Sequence, residues 1–148
     1  MRQIKLLSLF IISILTVIPN NTVHAQQSLK CKTLCTTWMA ETIEAHIGFP
    51  LDTTIIVYSR ASGRDTNGYS KFRMTFLSNG CYSSISNKGV QSKYISKWEL
   101  SDDESKLIIQ NQKNKKIVYS MHRLNPNYLE ISTKRKGINT VLKMVPEK

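Results

Sequence analysis

Few residues of this chain have the type and spacing that chemistry needs, and His122 and Glu130 are the best placed. They would face each other if 116–124 and 128–134 form neighbouring strands. A histidine in contact with a carboxylate can transfer protons to and from a substrate. The same two residues also suit an ordinary polar pair on a sheet surface, and we favour that interpretation because such pairs need no catalytic role.

Other catalytic and metal-binding patterns are missing from the sequence. It has no Gly-x-Ser-x-Gly, no His-Glu-x-x-His and no phosphate-binding loop. The acidic run Asp102-Asp103-Glu104 has the composition of a calcium loop but lacks its spaced ligands and its glycine, which favours a solvated turn. We therefore expect no catalytic residues, no metal and no cofactor.

Three cysteines, Cys31, Cys35 and Cys81, allow one disulfide and one remaining thiol. In a strand Cys31 and Cys35 would lie roughly 13 Å apart, too far to bridge, and in a helix they would share a face but bridge poorly. We therefore favour a bridge from one of them to Cys81, with Cys35–Cys81 as the candidate pair. A metal site is disfavoured because Cys-x3-Cys lacks a second closely spaced pair.

The alternation of apolar and polar residues shows which elements must position these groups. Phe72, Met74 and Phe76 alternate with polar residues, the period of a strand with one face toward a core. Asn79-Gly80 then supplies the positive φ that a tight hairpin needs. Residues 71–112 therefore predict an antiparallel meander, around which the rest of the chain is organised.

The same pattern continues along the chain. Residues 26–37 suit a short helix or coil, and 38–47 suits a strand or a short helix, of which we favour the strand. Further strands are predicted at 53–59, 71–77, 81–86, 93–100, 106–112, 116–124, 128–134 and 138–145. Turn signals roughly every ten residues predict an all-β, antiparallel up-and-down meander of eight to nine strands. Closure into a barrel or half-barrel would remove its exposed edges.

A barrel of about eight strands is either filled by side chains or holds one small ligand. The alternation turns several large apolar residues inward, and these are candidates for lining a ligand cavity: Phe72, Met74, Phe76, Tyr82, Tyr94 and Trp98. They serve equally as ordinary core residues, so the sequence leaves the filled and the hollow barrel open.

Charge is unevenly distributed over the turns. The chain has 21 Lys and Arg against 10 Asp and Glu, a formal net charge of +11. If turns alternate between the barrel ends, counted from Gly48, one end receives 48–52, 78–80, 101–105 and 125–127. The other receives 60–70, 87–89, 113–116 and 134–137, which would form a basic rim: Lys88, Lys113, Lys115, Lys116, Lys134, Arg135 and Lys136. Such a rim favours an anionic lipid or glycan surface as partner, although it also serves solubility alone.

The first 25 residues have the pattern of a secretory signal peptide. A short basic segment precedes an apolar run at 6–18, and Val23-His24-Ala25 places an aliphatic and a small residue before a cleavage site. The run is shorter than the ~20 residues that a spanning helix needs, which disfavours a membrane anchor. We expect 1–25 to be removed and 26–148 to form one soluble domain in the periplasm or outside the cell.

Three motifs resemble the small secreted lipocalin-like proteins of Gram-negative bacteria. They are the hairpin Phe76-Leu-Ser-Asn-Gly80-Cys-Tyr82, the strand and turn that begin Trp98-Glu-Leu, and Leu124-Asn-Pro-Asn-Tyr-Leu129-Glu-Ile131. The resemblance covers about 34–145. The family usually opens with Gly-x-Trp, whereas Cys35-Thr-Thr-Trp38 keeps only the tryptophan. The resemblance implies a β-barrel or half-barrel without catalysis, and it assigns no binding residue.

Together these observations predict a secreted, non-catalytic binding protein. It would hold a small apolar molecule in the barrel or act as a binding module of the cell envelope. Two alternatives remain: an interaction protein that docks its basic rim on anionic lipid or glycan, or an inhibitor of an extracellular enzyme that uses the loop 60–70. No nucleic acid is expected as a partner.

We predict that the secreted protein begins at Gln26, because cleavage after Ala25 follows the Val23-His24-Ala25 pattern. Amino-terminal sequencing of protein secreted by its own host would check this. A mature chain that starts before Asn20 would contradict it.

Overall fold

The structure is a computed structural model of the chain, and it describes residues 28–48, 53–92 and 96–148. The predicted signal peptide, the predicted start at Gln26 and the cavity candidate Tyr94 lie outside the described residues.

The described residues form one short helix, one 3-10 turn (Tyr69–Lys71) and ten strands. The all-β prediction is confirmed, and 38–47, for which strand and helix were both open, lies in a strand. In chain order the helix and the strands are α1 (Leu29–Leu34), β1 (Thr37–Ile47), β2 (Thr53–Ser59), β3 (Arg64–Asp65), β4 (Arg73–Phe76), β5 (Cys81–Ile85), β6 (Ser96–Leu100), β7 (Lys106–Gln110), β8 (Lys116–Asn125), β9 (Tyr128–Arg135) and β10 (Ile138–Pro146). Within the described part of the chain no helix is long and apolar enough to span a bilayer.

Eight of the strands close into an antiparallel barrel. Strands β4 to β10 follow one another as an up-and-down meander, and β1 joins the two edges of that meander. One edge of β1 pairs with β10 from Trp38↔Pro146 to Ile47↔Ile138, and the other pairs with β4 over 37–39. The predicted closed meander is therefore confirmed.

Strand β2 is not part of the barrel ring. Beyond the short pairing with β4, the same edge of β1 pairs with β2 over 42–47, and β2 turns back through 60–63 into the two-residue strand β3. The hairpin β2–β3 is therefore an insertion at the side of the barrel. Turn counting from the sequence treated it as two successive parts of the meander, and it therefore assigned 60–63 to the basic end, although that turn points the other way. The later part of the same loop does lie at the predicted end, since Asn67 accepts a hydrogen bond from the Asn87 side chain.

The two barrel ends can now be defined by their turns. We call the end with α1 and the turns 77–80, 101–105 and 126–127 the closed end. The opposite end, with the turns 86–89, 111–115 and 136–137, is called the basic end. Strand β1 ends and β2 begins at the basic end, whereas the 60–63 turn points toward the closed end.

Trp38 and α1 seal the closed end. The Trp38 side chain is fully buried, and its indole Nε1 donates a hydrogen bond to the Leu34 carbonyl oxygen at 3.1 Å. Leu34, the last residue of α1, is itself fully buried in the core. The Ser28 hydroxyl caps the helix by accepting a hydrogen bond from the Cys31 N–H. Burial of Trp38 thus fixes how this short helix lies against the barrel.

We predict that Trp38→Ala lowers the free energy of unfolding by ~3–5 kcal/mol, because it leaves a large cavity in a closed core. Trp38→Phe should cost less, since it keeps much of the buried apolar surface and removes a hydrogen bond worth ~0.5–1.5 kcal/mol. Urea unfolding followed by circular dichroism measures both. The exposed Lys97→Ala serves as control, and a Trp38→Ala variant as stable as this control would contradict the prediction.

Candidate functional site

The predicted cavity residues pack against one another in the middle of the barrel. Met74, Phe76, Tyr82 and Trp98 are buried, and the Phe76 ring centroid lies 5.2 Å from that of Tyr82 and 5.5 Å from that of Trp98. The Trp98 indole donates to the Leu77 carbonyl oxygen at 3.0 Å. These contacts fill the barrel interior at this level with side chains.

Two further observations describe the same region. Phe72 is only partly buried and packs against the core from its edge. Burial raises the pKa of the Tyr82 hydroxyl, and the neighbouring Tyr119 raises it further. The raised pKa follows from the enclosure of the phenol among the side chains of the barrel interior.

The basic end brings together the residues predicted to form a basic rim. They occupy three turns and the adjoining strand ends, and every one of them is exposed: Lys88, Lys113, Lys115, Lys116, Lys134, Arg135 and Lys136. Lys71 also lies at this end, because its side chain approaches Gly89. Arg60 and Arg64, in contrast, belong to the side hairpin and lie away from this end.

Four partly exposed isoleucines lie within this basic end. Ile47, Ile55, Ile117 and Ile138 are 39%, 41%, 48% and 40% exposed. Each belongs to the strand face that is turned to the barrel interior. Ile117 is directly opposite the buried Ile109, and the alternation along β1 and β10 puts Ile47 and Ile138 on the face of the buried residues of those strands. We call them the inner isoleucines.

The exposure of Ile47, Ile55 and Ile138 follows from the strand pairing. Residues 42–47 of β1 pair with β2 instead of continuing along β4, so β2, β1 and β10 extend past the filled part of the barrel. Ile55 and Ile117 both point inward, but neither is covered. Alternation sets the direction in which a side chain points, whereas its burial depends on whether another strand or helix packs over it.

The predicted contact between His122 and Glu130 does not form. A bulge in β8 between Met121 and Arg123 shifts the register, so that Arg123 is opposite Glu130. The His122 Nε2 atom instead lies 2.7 Å from the Ser132 hydroxyl, and Glu130 accepts a hydrogen bond from the Tyr128 hydroxyl at 3.3 Å. The outer face of β8 and β9 therefore carries polar pairs of a different pattern.

The acidic turn is held together by its own hydrogen bonds. The Asp103 carboxylate accepts from the Ser101 hydroxyl at 2.5 Å, and from the Ser105 hydroxyl and N–H at 2.7 and 3.1 Å. These bonds, led by that from Ser101, hold the pKa of Asp103 well below its usual range. The geometry gives Asp103 a role in shaping the turn between β6 and β7.

The three cysteines are free thiols, and the predicted Cys35–Cys81 pairing is not present. Cys81 alternates with the buried Tyr82 and lies directly opposite the exposed Lys97, so it faces outward. Cys31 and Cys35, by contrast, pack against the core at the closed end. The sheet thus separates Cys81 from the other two, which a count of cysteines in the sequence does not reveal.

The thiols at the closed end are poorly ionised. Burial raises the pKa of Cys31, and the Glu104 carboxylate raises it further. Burial also raises the pKa of Cys35, with a smaller contribution from Cys31. Within 28–48, 53–92 and 96–148, no three histidine, cysteine or acidic side chains are grouped as they would be to hold a metal ion.

The closed eight-stranded antiparallel barrel with up-and-down order is consistent with a lipocalin-like fold. Comparison of the chain with protein-family models and with curated proteins finds no match.

We predict that iodoacetamide alkylates Cys31 and Cys35 of the reduced, folded protein at least several-fold more slowly than in the urea-unfolded chain at pH 8. Their raised pKa leaves less of the reactive thiolate in the folded state. At a pH above the pKa of the unfolded thiols, the difference between the folded and unfolded alkylation rates should narrow. The unfolded thiols are then already ionised, so a further rise in pH increases only the thiolate fraction of the folded ones. Peptide mass spectrometry over a pH series measures each site, and equal folded and unfolded rates throughout would contradict the prediction.

Proposed function

We propose that this chain is a secreted, non-catalytic binding barrel of lipocalin-like type whose basic end docks on an anionic lipid surface. The observation that carries the proposal is the coincidence of two features at one end of the barrel. Exposed lysines and an arginine occupy the turns, and partly exposed isoleucines line the inner face of the strands between them.

An anionic bilayer matches both features. Each Lys or Arg near such a surface contributes ~1 kcal/mol, and exposed apolar side chains gain by entering the boundary between headgroups and acyl chains. A phosphorylated glycan would use the bases but would leave the isoleucines in water. The isoleucines therefore favour lipid over glycan.

The packing of the barrel interior bears on the other candidate, a small apolar molecule held inside. Phe76, Tyr82 and Trp98 already occupy that interior through ring contacts. A ligand at that level would have to displace them, at the cost of a well-packed core. The inner isoleucines offer apolar contact nearer the mouth without such rearrangement, so we favour a surface that touches the basic end.

We predict that the protein, lacking residues 1–25, binds phosphatidylglycerol-containing vesicles but not pure phosphatidylcholine vesicles, and that salt weakens the binding. Changing Lys88, Lys113, Lys115 and Lys134 together to Gln should weaken binding by at least about tenfold, since four charges near the surface are lost. A matched variant removes four exposed lysines from the closed end and the barrel wall: Lys30, Lys32, Lys97 and Lys106. It should retain most of the affinity. Co-sedimentation over a lipid series measures both.

A second pair of variants tests the apolar part. Ile47→Ser with Ile117→Ser should reduce the binding that persists at high salt, whereas Val118→Ser, on the outer face of β8, should not. Equal losses from the two lysine variants would mean that only net charge counts. No binding by the parent protein at low salt would remove the anionic membrane as a partner.

A further inference from the structure

A second candidate site lies on the outer wall of the barrel, away from the basic end. A groove of about 730 Å³ runs beside the turn of the β2–β3 hairpin. Its lining combines three apolar and three basic residues with one amide and one acid: Met39, Arg60, Arg73, Asn127, Val145, Pro146, Glu147 and Lys148. A cleft of about 300 Å³ that shares Met39, Arg60 and Arg73 continues it beneath the hairpin. The size is in the range of small-molecule sites.

The floor of the groove is an outward row of residues across three strands. Met39 is directly opposite Val145 of β10 and directly opposite Arg73 of β4. Their chain neighbours Trp38 and Met144 point inward and are fully buried, which turns Met39 and Val145 outward. Both are only partly buried, so an apolar strip is accessible on this wall.

Arg73 is already engaged by protein groups. Its Nε donates to the Glu147 carboxylate at 2.8 Å, and its Nη1 donates to the carbonyl oxygens of Ser70 and Phe72. The Glu147 charge is therefore balanced. The Asp65 carboxylate, in the adjoining cleft, accepts the N–H groups of Tyr69 and Ser70. Both acids of the groove and cleft thus have partners.

Arg60 differs from Arg73 because its backbone is fixed while its guanidinium has no anionic partner among the residues that the structure describes. Its N–H donates to the Glu41 carbonyl oxygen at 2.9 Å, and its own carbonyl oxygen accepts from the Gly63 N–H. Among the described residues the only polar contact of its side chain is the Met39 sulfur, 3.7 Å from Nη1. The turn thus holds an exposed guanidinium above the apolar strip, with most of its donors directed to solvent.

We propose that this groove binds a small amphiphilic carboxylate, with the carboxylate on Arg60 and the apolar chain along Met39, Val145 and Pro146. A guanidinium presents parallel donors that match a carboxylate, which makes arginine well suited to this head group. Lys148 is a further basic side chain in the lining. The site shares no residue with the basic end, so the inference is independent of the proposed function.

Displacement of dansyl-undecanoate by dodecanoate, followed by fluorescence, tests this proposal. We expect Arg60→Gln to weaken dodecanoate binding by about tenfold or more, the loss of a charge-assisted pair. Arg64 is a neighbouring exposed arginine outside the groove, and Arg64→Gln should leave the affinity for dodecanoate unchanged. The affinity of Arg60→Lys for dodecanoate should lie between those of the parent and Arg60→Gln, since lysine keeps the charge and loses the parallel donors. Dodecanol and acetate, which each lack one half of the ligand, should displace the probe poorly.

A variant of the groove floor tests the contribution of the ligand's apolar chain to affinity separately from that of its carboxylate. Val145→Thr keeps the shape of a strand residue and should reduce the gain in affinity from octanoate to dodecanoate. Urea unfolding of each variant checks that the fold is kept. Equal affinities of Arg60→Gln and Arg64→Gln, or no binding by the parent, would overturn the proposal. So would binding that is lost in the Lys88, Lys113, Lys115 and Lys134 variant and kept in Arg60→Gln, because the ligand would then sit at the basic end.

Discussion

The structure depends on the pairing of β1 with β10, the first and last strands. This ladder runs from Trp38↔Pro146 to Ile47↔Ile138 and turns an open meander into a ring. Without it, β4 and β10 would present unpaired edges, which are prone to pair with other chains. The same strand carries Trp38, whose buried indole holds α1 against the closed end. Closure of the ring and sealing of one end therefore rest on a single strand.

A change of partner along β1 creates both candidate sites. Over 37–39 its free edge pairs with β4, and over 42–47 it pairs with β2. The strands that extend past the filled interior expose Ile47, Ile55 and Ile138 at the basic end. The β2–β3 hairpin produced by the same change brings Arg60 to within 3.7 Å of Met39 on the outer wall. One irregularity of pairing thus gives an apolar inner face and a basic outer groove.

The local parts of this fold could be predicted from the sequence, and the non-local parts could not. Alternation correctly identified Met74, Phe76 and Trp98 as inward residues, because that pattern is a property of the strand itself. The positive φ of Gly80 also follows from the sequence of its hairpin.

The double pairing of β1 is a choice between partners far apart in the chain, and no local pattern encodes it. For the same reason the turn count failed at the β2–β3 hairpin, and the bulge next to His122 removed its expected partner. The common location of the basic turns could be predicted, because successive turns of a meander alternate between its ends. The Arg60 groove could not, because it is assembled from β1, β4, β10 and a side turn.

The order in which the strands join has a consequence for biosynthesis. The ion pair between Lys143 and Glu44, which spans the closing ladder, joins residues 99 positions apart. A chain that emerges from the ribosome amino end first can form its hairpins early, but the ring stays open until the last strand is released. Loop closure over such distances slows folding and leaves strand edges exposed meanwhile. Truncation at the carboxyl end, which removes β10, would therefore leave the barrel open.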